Sequence, residues 1–179
     1  MQRVKKILVT NNYVTNKCFV GKTGTGKTTQ ILNELNSEKL KNIIYLYTGK
    51  SQIIKESKKI FSMIYIFDFL NVIQDYNPDN KIFVFDDMKY YISVNPNETN
   101  TRKINEFLGR SRHNNNIFYF SFHGFNQIPS FLYTFFNEIF IFKTANKRSL
   151  DIPYFNEIEP IIKQVNENKD LHYFKKIKV

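Results

Sequence analysis

Tryptophan is absent from the 179 residues, and cysteine occurs once, as Cys18. One thiol cannot build an internal disulfide framework or a cysteine-based zinc cluster, and Cys18 lies in an apolar stretch where a small buried side chain is expected. Also missing is any uninterrupted apolar run of the roughly 20 residues that a spanning helix needs. The longest apolar stretches, near Phe61 to Ile73 and Phe131 to Phe142, are broken by Asp68 and by Asn137 with Glu138. No charged-then-apolar leader is read at the start, so the expectation is a soluble, intracellular chain without a transmembrane segment. Acidic residues are scarce: 16 Asp and Glu face 26 Lys and Arg, giving a net charge of +10. Such an excess concentrates polyanions and suits a nucleic-acid partner. The lysines are spread along the chain, however, so charge alone describes a solvated basic surface equally well. Internal repeats, low-complexity linkers and shifts of composition are lacking too, and residues 1–179 read as a single domain.

What is present is an ordinary globular composition, 42% hydrophobic and 23% charged. Its 18 Phe and 11 Tyr accompany abundant Asn, Lys and Ile, the residues of A/T-rich codons, so part of the aromatic bias is genomic. Short apolar runs rich in β-formers are expected as strands at Lys17 to Val20, Asn42 to Tyr47, Met63 to Phe67, Lys81 to Phe85, Asn116 to Phe122, Glu138 to Phe142 and near Leu171 to Ile177. Between them, helical spacing predicts helices at Lys27 to Leu35, Gln52 to Phe61, Thr101 to Arg110, Ser130 to Phe136 and Ile158 to Val165. This alternation predicts an α/β fold, a central, mostly parallel sheet with helices on both faces. Runs such as IFVF and IFYFSF are nearly continuous in apolar residues, as strands buried on both faces are. The polar segment Ser93 to Arg102 and the basic segment Thr144 to Ser149 are expected as exposed loops.

The segment VGKTGTGKTT matches G-x-x-x-x-G-K-[ST], with Gly21, Gly26, Lys27 and Thr28 in the fixed places. Its glycines let the backbone curl until consecutive N–H groups point into one concavity, where they bind phosphate together with the positive end of the following helix. The expected binding stretch for ATP runs through Gly21, Lys22, Thr23, Gly24, Thr25, Gly26, Lys27, Thr28 and Thr29. Lys27 reaches the β- and γ-phosphates in this reading, and Thr28 offers its hydroxyl to Mg²⁺. An apolar strand, CFV, precedes the loop and a helical pattern, KTTQILNEL, follows it, which is the context the motif demands.

A magnesium site needs a carboxylate at the end of a neighbouring strand, and KIFVFDDM supplies Asp86 there. Asp87, next in the chain, is the candidate general base for water, a place usually taken by glutamate. As an isolated pair these aspartates would read as a turn or helix cap. Two strand–helix units, Asn42 to Phe61 and Met63 to Tyr76, separate the P-loop helix from KIFVFDD. The metal strand is therefore not the next one after the loop, and the chain reads as a P-loop NTPase of the additional-strand, RecA/FtsK-like type, an arrangement used more by ATP-driven machines than by small-molecule kinases.

With GKTGTGKTT, KIFVFDD, GRSRHNNNIFYFSFH and FNEIFIFKT in hand, most of the chain resembles the FtsK/HerA superfamily, in particular the genome-packaging ATPases of tailless icosahedral viruses with an internal membrane. The resemblance implies ATP hydrolysis with Mg²⁺, translocation of double-stranded DNA by a homo-oligomeric ring (hexamer or pentamer), a capsid vertex protein as docking partner, and a location in the host cytoplasm and with the virion. It implies that Arg112, or Arg110, is an arginine finger that enters the neighbouring subunit's site. It puts His123 where the family typically carries a glutamine sensing the γ-phosphate, and Asp87 where it carries glutamate. From the residues alone, Arg110 and Arg112 equally read as cations suited to a helix C-terminus, and His123 as a half-buried histidine. Lys143, Lys147 and Arg148, or Lys89, Arg102 and Lys103, are candidates for contacting DNA phosphates. Other P-loop readings stay open: a nucleotide or small-molecule kinase, for which no arginine-rich lid is evident; a phage-assembly or conjugation ATPase, which usually brings a membrane segment; and a nucleotide-binding structural switch.

Overall fold

The computed structural model describes residues 15–37, 42–48, 62–111, 113–144 and 155–179. Seven strands are β1 (Lys17–Val20), β2 (Asn42–Tyr47), β3 (Ser62–Tyr65), β4 (Lys81–Phe85), β5 (Ile117–Phe122), β6 (Glu138–Phe142) and β7 (Phe174–Lys178). They form one sheet in the order β3-β2-β4-β5-β1-β6-β7. All neighbours are parallel except β7, which runs antiparallel to β6. The helices are α1 (Lys27–Ser37), α2 (Ile66–Val72), α3 (Thr99–Ser111) and α4 (Phe155–Glu167).

Strand alternation decides what each face buries. Cys18, Val20, Phe83, Phe85, Phe118 and Phe120 pack on one face under Ile66, Phe69 and Leu70 of α2, Ile104 and Phe107 of α3, and Ile158 of α4. Phe19, Tyr45, Val84, Tyr119 and Phe140 pack on the other, against Ile31 and Leu35 of α1. The six side chains of β5 are all buried, which is why IFYFSF lacks the polar-apolar alternation of a half-exposed strand. Phe83 lies at the hub of an aromatic cluster, with ring centroids 5.2 Å from Phe107, 5.6 Å from Phe118 and 6.1 Å from Phe69.

Parallel strands put all their C-terminal ends on one edge of the sheet. Residues after Val20, Phe85, Phe122 and Phe142 therefore meet there, although they are far apart in sequence. The opposite edge is held by asparagines. Asn115 takes a left-handed φ of 51° that asparagine tolerates better than most residues, and buried Asn116 accepts from Lys81 N at 2.9 Å while donating to the Pro78 carbonyl at 2.7 Å. The run HNNN thus joins the beginnings of β4 and β5.

Several boundaries differ from the sequence expectation. The strand expected over Met63 to Phe67 ends at Tyr65, because α2 starts at Ile66 and turns Ile66, Phe69 and Leu70 into the core. The helix expected over Ser130 to Phe136 is a 3₁₀ segment, Ser130–Thr134. Segment Ser93 to Arg102 is only partly a loop: α3 begins at Thr99, where Glu98 accepts hydrogen bonds from Thr101 N at 3.0 Å and Thr101 Oγ1 at 3.1 Å. The last strand starts later than expected, at Phe174. The helix expected over Gln52 to Phe61 and most of Thr144 to Ser149 lie outside the described residues.

Core position sets the expected cost of truncation. Phe83→Ala should lose about 3–5 kcal/mol of unfolding free energy, whereas Phe67→Ala, at a side chain 41% exposed, should lose less than about 1 kcal/mol. Urea unfolding with an unchanged m-value checks both, and equal losses would contradict the packing described.

Candidate active site

The loop after β1 is built tightly against the sheet edge. Gly21 N donates to the Phe122 carbonyl at 3.0 Å and Lys22 N to the Lys143 carbonyl at 2.8 Å, pinning the loop between β5 and β6. A Cβ on Gly21 would meet Phe142 Cβ at 2.5 Å, so close approach to β6 requires glycine there. Gly24 and Gly26 adopt φ of 79° and 88°, the left-handed turns that curl the loop into its cradle before α1. Thr25 is buried and braces the loop, its Oγ1 donating to the Lys22 carbonyl at 2.8 Å. The first turn of α1, with Lys27, Thr28 and Thr29, presents N–H groups that lack intrahelical acceptors.

Lys27 is buried, and its ammonium donates to the carbonyls of Gly21 at 2.8 Å and Lys22 at 2.9 Å. Burial pulls its pKa below the usual value, while Asp87 and Asp86 oppose that shift. The basic group of the loop and both aspartates of β4 therefore share one electrostatic site.

Asp86 follows β4 and is buried. Its Oδ1 accepts from Ser121 Oγ at 2.5 Å and its Oδ2 from Tyr45 OH at 2.7 Å, so β2, β4 and β5 hold one carboxylate between them. Burial pushes its pKa up and neighbouring Asp87 pushes it further, against the hydrogen bonds from Ser121 and Tyr45 and the charge of Lys27. Tyr91 OH donates to the Asp86 carbonyl at 3.1 Å. Ser121 also accepts from Asp87 N at 2.8 Å, so one serine orients both acidic residues. A desolvated carboxylate beside a second one is a hard-oxygen donor pair of the kind Mg²⁺ takes.

Asp87 sits in the left-handed region, at φ 52° and ψ 47°. Aspartate tolerates this backbone better than glutamate does, a physical reason for the shorter acid here. Its Oδ1 is 2.7 Å from His123 Nε2. Burial is the main influence on His123 and draws its pKa below 6.5 despite the hydrogen bond to Asp87. The neutral imidazole then donates from Nε2 to Asp87, and Nδ1 accepts from Thr23 Oγ1 at 3.1 Å. Lys89 Nζ is also 3.5 Å from Nδ1 and lies 4.5 Å from the Tyr90 ring centroid. A bridge Asp87–His123–Thr23 thus spans from β4 through β5 to the P-loop.

Architecture of this kind recurs in solved structures. The chain matches the genome packaging NTPase B204 from Sulfolobus turreted icosahedral virus 2 in complex with ATP-gammaS at a TM-score of 0.63 and 18% identity, over 94% of this chain and 93% of that one. The fold is the P-loop NTPase fold that B204 has. B204 from Sulfolobus turreted icosahedral virus, described as a DNA-packaging ATPase, matches at a TM-score of 0.63 and 16% identity, over 92% of each chain. The N-terminal domain of zonular occludens toxin from Neisseria meningitidis matches at 0.51 and 11%, over 93% of this chain and 95% of that one. No family model matches the sequence, and no curated protein does.

The site therefore brings together Lys22, Thr23, Lys27, Asp86, Asp87 and His123, with Thr28 next to Lys27 in the first turn of α1. Arg110 is elsewhere: its guanidinium donates to the carbonyls of Gln74 at 2.6 Å and Ile73 at 2.8 Å, at the sheet edge where β5 begins. Arg112, Lys147 and Arg148 lie outside the described residues. Lys103 donates to the Leu70 carbonyl at 3.0 Å, and Arg102 is exposed, 4.0 Å from Glu106. Lys143 lends its carbonyl to the P-loop. Sequence reading missed Tyr45, Tyr91 and Ser121. Ser121 left a signal as the lone small polar residue in IFYFSF; Tyr45 left none, since NIIYLY reads as a plain strand.

Asp86 carries a cost that can be measured. Because its folded pKa is raised, the group favours folding most below its unfolded value of roughly 4, and that contribution is lost as pH rises through the folded value. Asp86→Asn should then raise the Tm of the nucleotide-free protein at pH 7 by roughly 2–4 °C, with the gain shrinking as pH falls toward 4. A lower Tm at pH 7 would make the carboxylate a net stabiliser through Tyr45 and Ser121.

Proposed function

We propose that this chain is an ATP-hydrolysing motor that translocates nucleic acid, most specifically a packaging ATPase that moves double-stranded DNA into a capsid as a homo-oligomeric ring. The observation that carries the reading is the buried Asp86 with Asp87 facing a glycine-built phosphate cradle across one sheet edge. B204, which shares the fold, is described as a packaging ATPase and binds ATP analogues. A ring, a vertex partner and a virion or host-cytoplasmic location extend this reading; no described helix is long and apolar enough to cross a membrane.

In this reading, α1 N–H groups and Lys27 hold the triphosphate, and Lys27 exchanges its bonds to the Gly21 and Lys22 carbonyls for phosphate oxygens. Thr28 and Asp86 would hold Mg²⁺, which neutralises charge on the phosphates when bound. Asp87 orients the attacking water and takes its proton, and the His123 imidazole fixes the Asp87 carboxylate for that task. Once phosphate fills the cradle, protonation at Nδ1 turns His123 from acceptor of the Thr23 bond into donor to a γ-phosphate oxygen, and so into a sensor, while Nε2 keeps its bond to Asp87.

Arg110 lies at the far end of β5 from this site. A six-residue strand spans about 20 Å, so a finger from this region serves a neighbouring subunit's pocket. Arg110 is engaged with α2, which leaves Arg112, two residues on, as the preferred finger. Among the described basic candidates for DNA phosphates, Arg102 is the exposed one; Lys143, Lys147 and Arg148 form the alternative set, while Lys89 and Lys103 already serve His123 and Leu70. A nucleotide-operated switch is the second reading, favoured by the closed Asp87–His123–Thr23 bridge.

Phosphate release with and without double-stranded DNA separates motor from switch. Asp87→Asn should lower kcat at least about 100-fold with little change in ATP affinity. His123→Gln should stay within about threefold of the parent, and His123→Ala should lose tenfold or more. Lys27→Ala and Arg112→Ala subunits, each inactive alone, should recover activity when mixed. No recovery at any ratio, with both proteins folded, contradicts a finger acting in trans.

A further inference from the structure

The turn after β4 carries a cation that the chemistry above does not use. Residues Met88–Tyr90 form a 3₁₀ turn directly after Asp87. Met88 and Tyr91, which flank Lys89 and Tyr90 in the chain, are both buried. Tyr91 N and Ile92 N donate to the Met88 carbonyl at 3.0 Å and 3.1 Å, and Tyr91 OH reaches the Asp86 carbonyl. The turn is thereby fixed to the sheet edge, and half-buried Lys89 lies beside His123.

The Lys89 ammonium is 3.5 Å from His123 Nδ1 and 4.5 Å from the Tyr90 ring centroid. Among the described residues, no carboxylate comes within ion-pair distance of it. A neutral imidazole whose Nε2 donates to Asp87 has one lone pair left, on Nδ1. Two donors face that lone pair, Thr23 Oγ1 at 3.1 Å and Lys89 Nζ at 3.5 Å. The nearer hydroxyl takes it, and the ammonium is left with the weaker hold of an aromatic face.

Thr23 belongs to the phosphate cradle. A donor that shares one acceptor atom with Thr23 stands close enough for a single phosphate group to accept from both. The charge of Lys89 is also felt across the site. Burial draws the Lys27 ammonium and the His123 imidazole below their usual pKa values, and Lys89 adds to both shifts. Two cations that repel each other across a gap both attract an anion placed in it.

We propose that Lys89 is a second phosphate-binding cation, supplied by the same chain, that holds the terminal phosphate of a nucleoside triphosphate opposite Lys27; the proposal rests on the P-loop reading above. Binding moves the ammonium from the Tyr90 face to a phosphate oxygen, a change within one flexible side chain. A diphosphate seated in the cradle ends short of Lys89, so the residue separates triphosphate from diphosphate. It does so in a lone subunit, which distinguishes it from a finger acting in trans.

Calorimetric titration of the full chain with Mg·AMPPCP, a triphosphate that is not hydrolysed, and with Mg·ADP tests this. Lys89→Ala, and Lys89→Gln, which keeps most of the stem over Tyr90, should each weaken AMPPCP roughly tenfold and leave ADP within about twofold. Lys89→Arg, which keeps the charge, should stay within about threefold of the parent for both ligands. In a His123→Ala background, Lys89→Gln should still weaken AMPPCP roughly tenfold, as direct contact with phosphate requires. Unchanged AMPPCP affinity in the Ala and Gln variants overturns the proposal. Equal weakening of AMPPCP and ADP marks an effect of the turn on the whole cradle and also overturns it. So does the absence of any Lys89→Gln effect once His123 is alanine, because the lysine then acts only through the imidazole. Loss of double-stranded DNA binding with nucleotide selectivity intact assigns Lys89 to a DNA surface instead and overturns it too. Failure of the unaltered protein to bind either nucleotide removes the P-loop reading itself, and this proposal with it.

Discussion

Everything at this sheet edge depends on keeping one ionisable carboxylate out of water. Asp86 is buried next to a second acid, a position that favours its protonated form, and it is held by hydroxyls from Tyr45 and Ser121. Burying a charge is tolerated only when hydrogen bonds and a nearby opposite charge offset the lost hydration. Lys27 supplies part of that charge from the P-loop. Under the proposed function, a cation with phosphates is the chemistry that would offset the remaining cost of this burial.

The same economy governs the bonds that the P-loop makes without a ligand. Lys27 satisfies its ammonium on two carbonyls of its own loop, and Thr23 is linked through His123 to Asp87. Under the proposed function a phosphate would replace these acceptors, so that binding exchanges hydrogen bonds rather than making all of them anew. Asp87 adds a strained backbone to this set, held by its N–H bonds to Ser121 and to the Asp86 side chain.

Parallel topology separates the tasks spatially. Strands β4 and β5 deliver acids and imidazole to one flank of the P-loop, while β6 and the turn before β7 set Phe142 against Gly21 and His172 over Gly26 on the other. The far edge, tied by Asn116 and Arg110, carries none of these groups. The chain thus has one edge rich in these ionisable groups and one without them, the polarity that the proposed ring would use if one copy is to act on the next.

The sequence by itself determined the α/β class, the P-loop, the aspartates at the end of β4 and most strand positions, because each is written in local terms. Buried strands are continuous apolar runs, and Gly24 and Gly26 mark left-handed turns whose demand on the backbone is the same in any fold. Helix and strand compete locally at Ile66, and burial of Ile66, Phe69 and Leu70 decided for the helix, which no local pattern could reveal. Only the tertiary structure decided that Tyr45 and Ser121 grip Asp86, that His123 meets both Asp87 and Thr23, and that His172 covers Gly26 from 146 residues away, the difference of those two positions. The reason is physical: these contacts arise from strand order, β4-β5-β1-β6-β7, and strand order is set by how whole faces bury against helices.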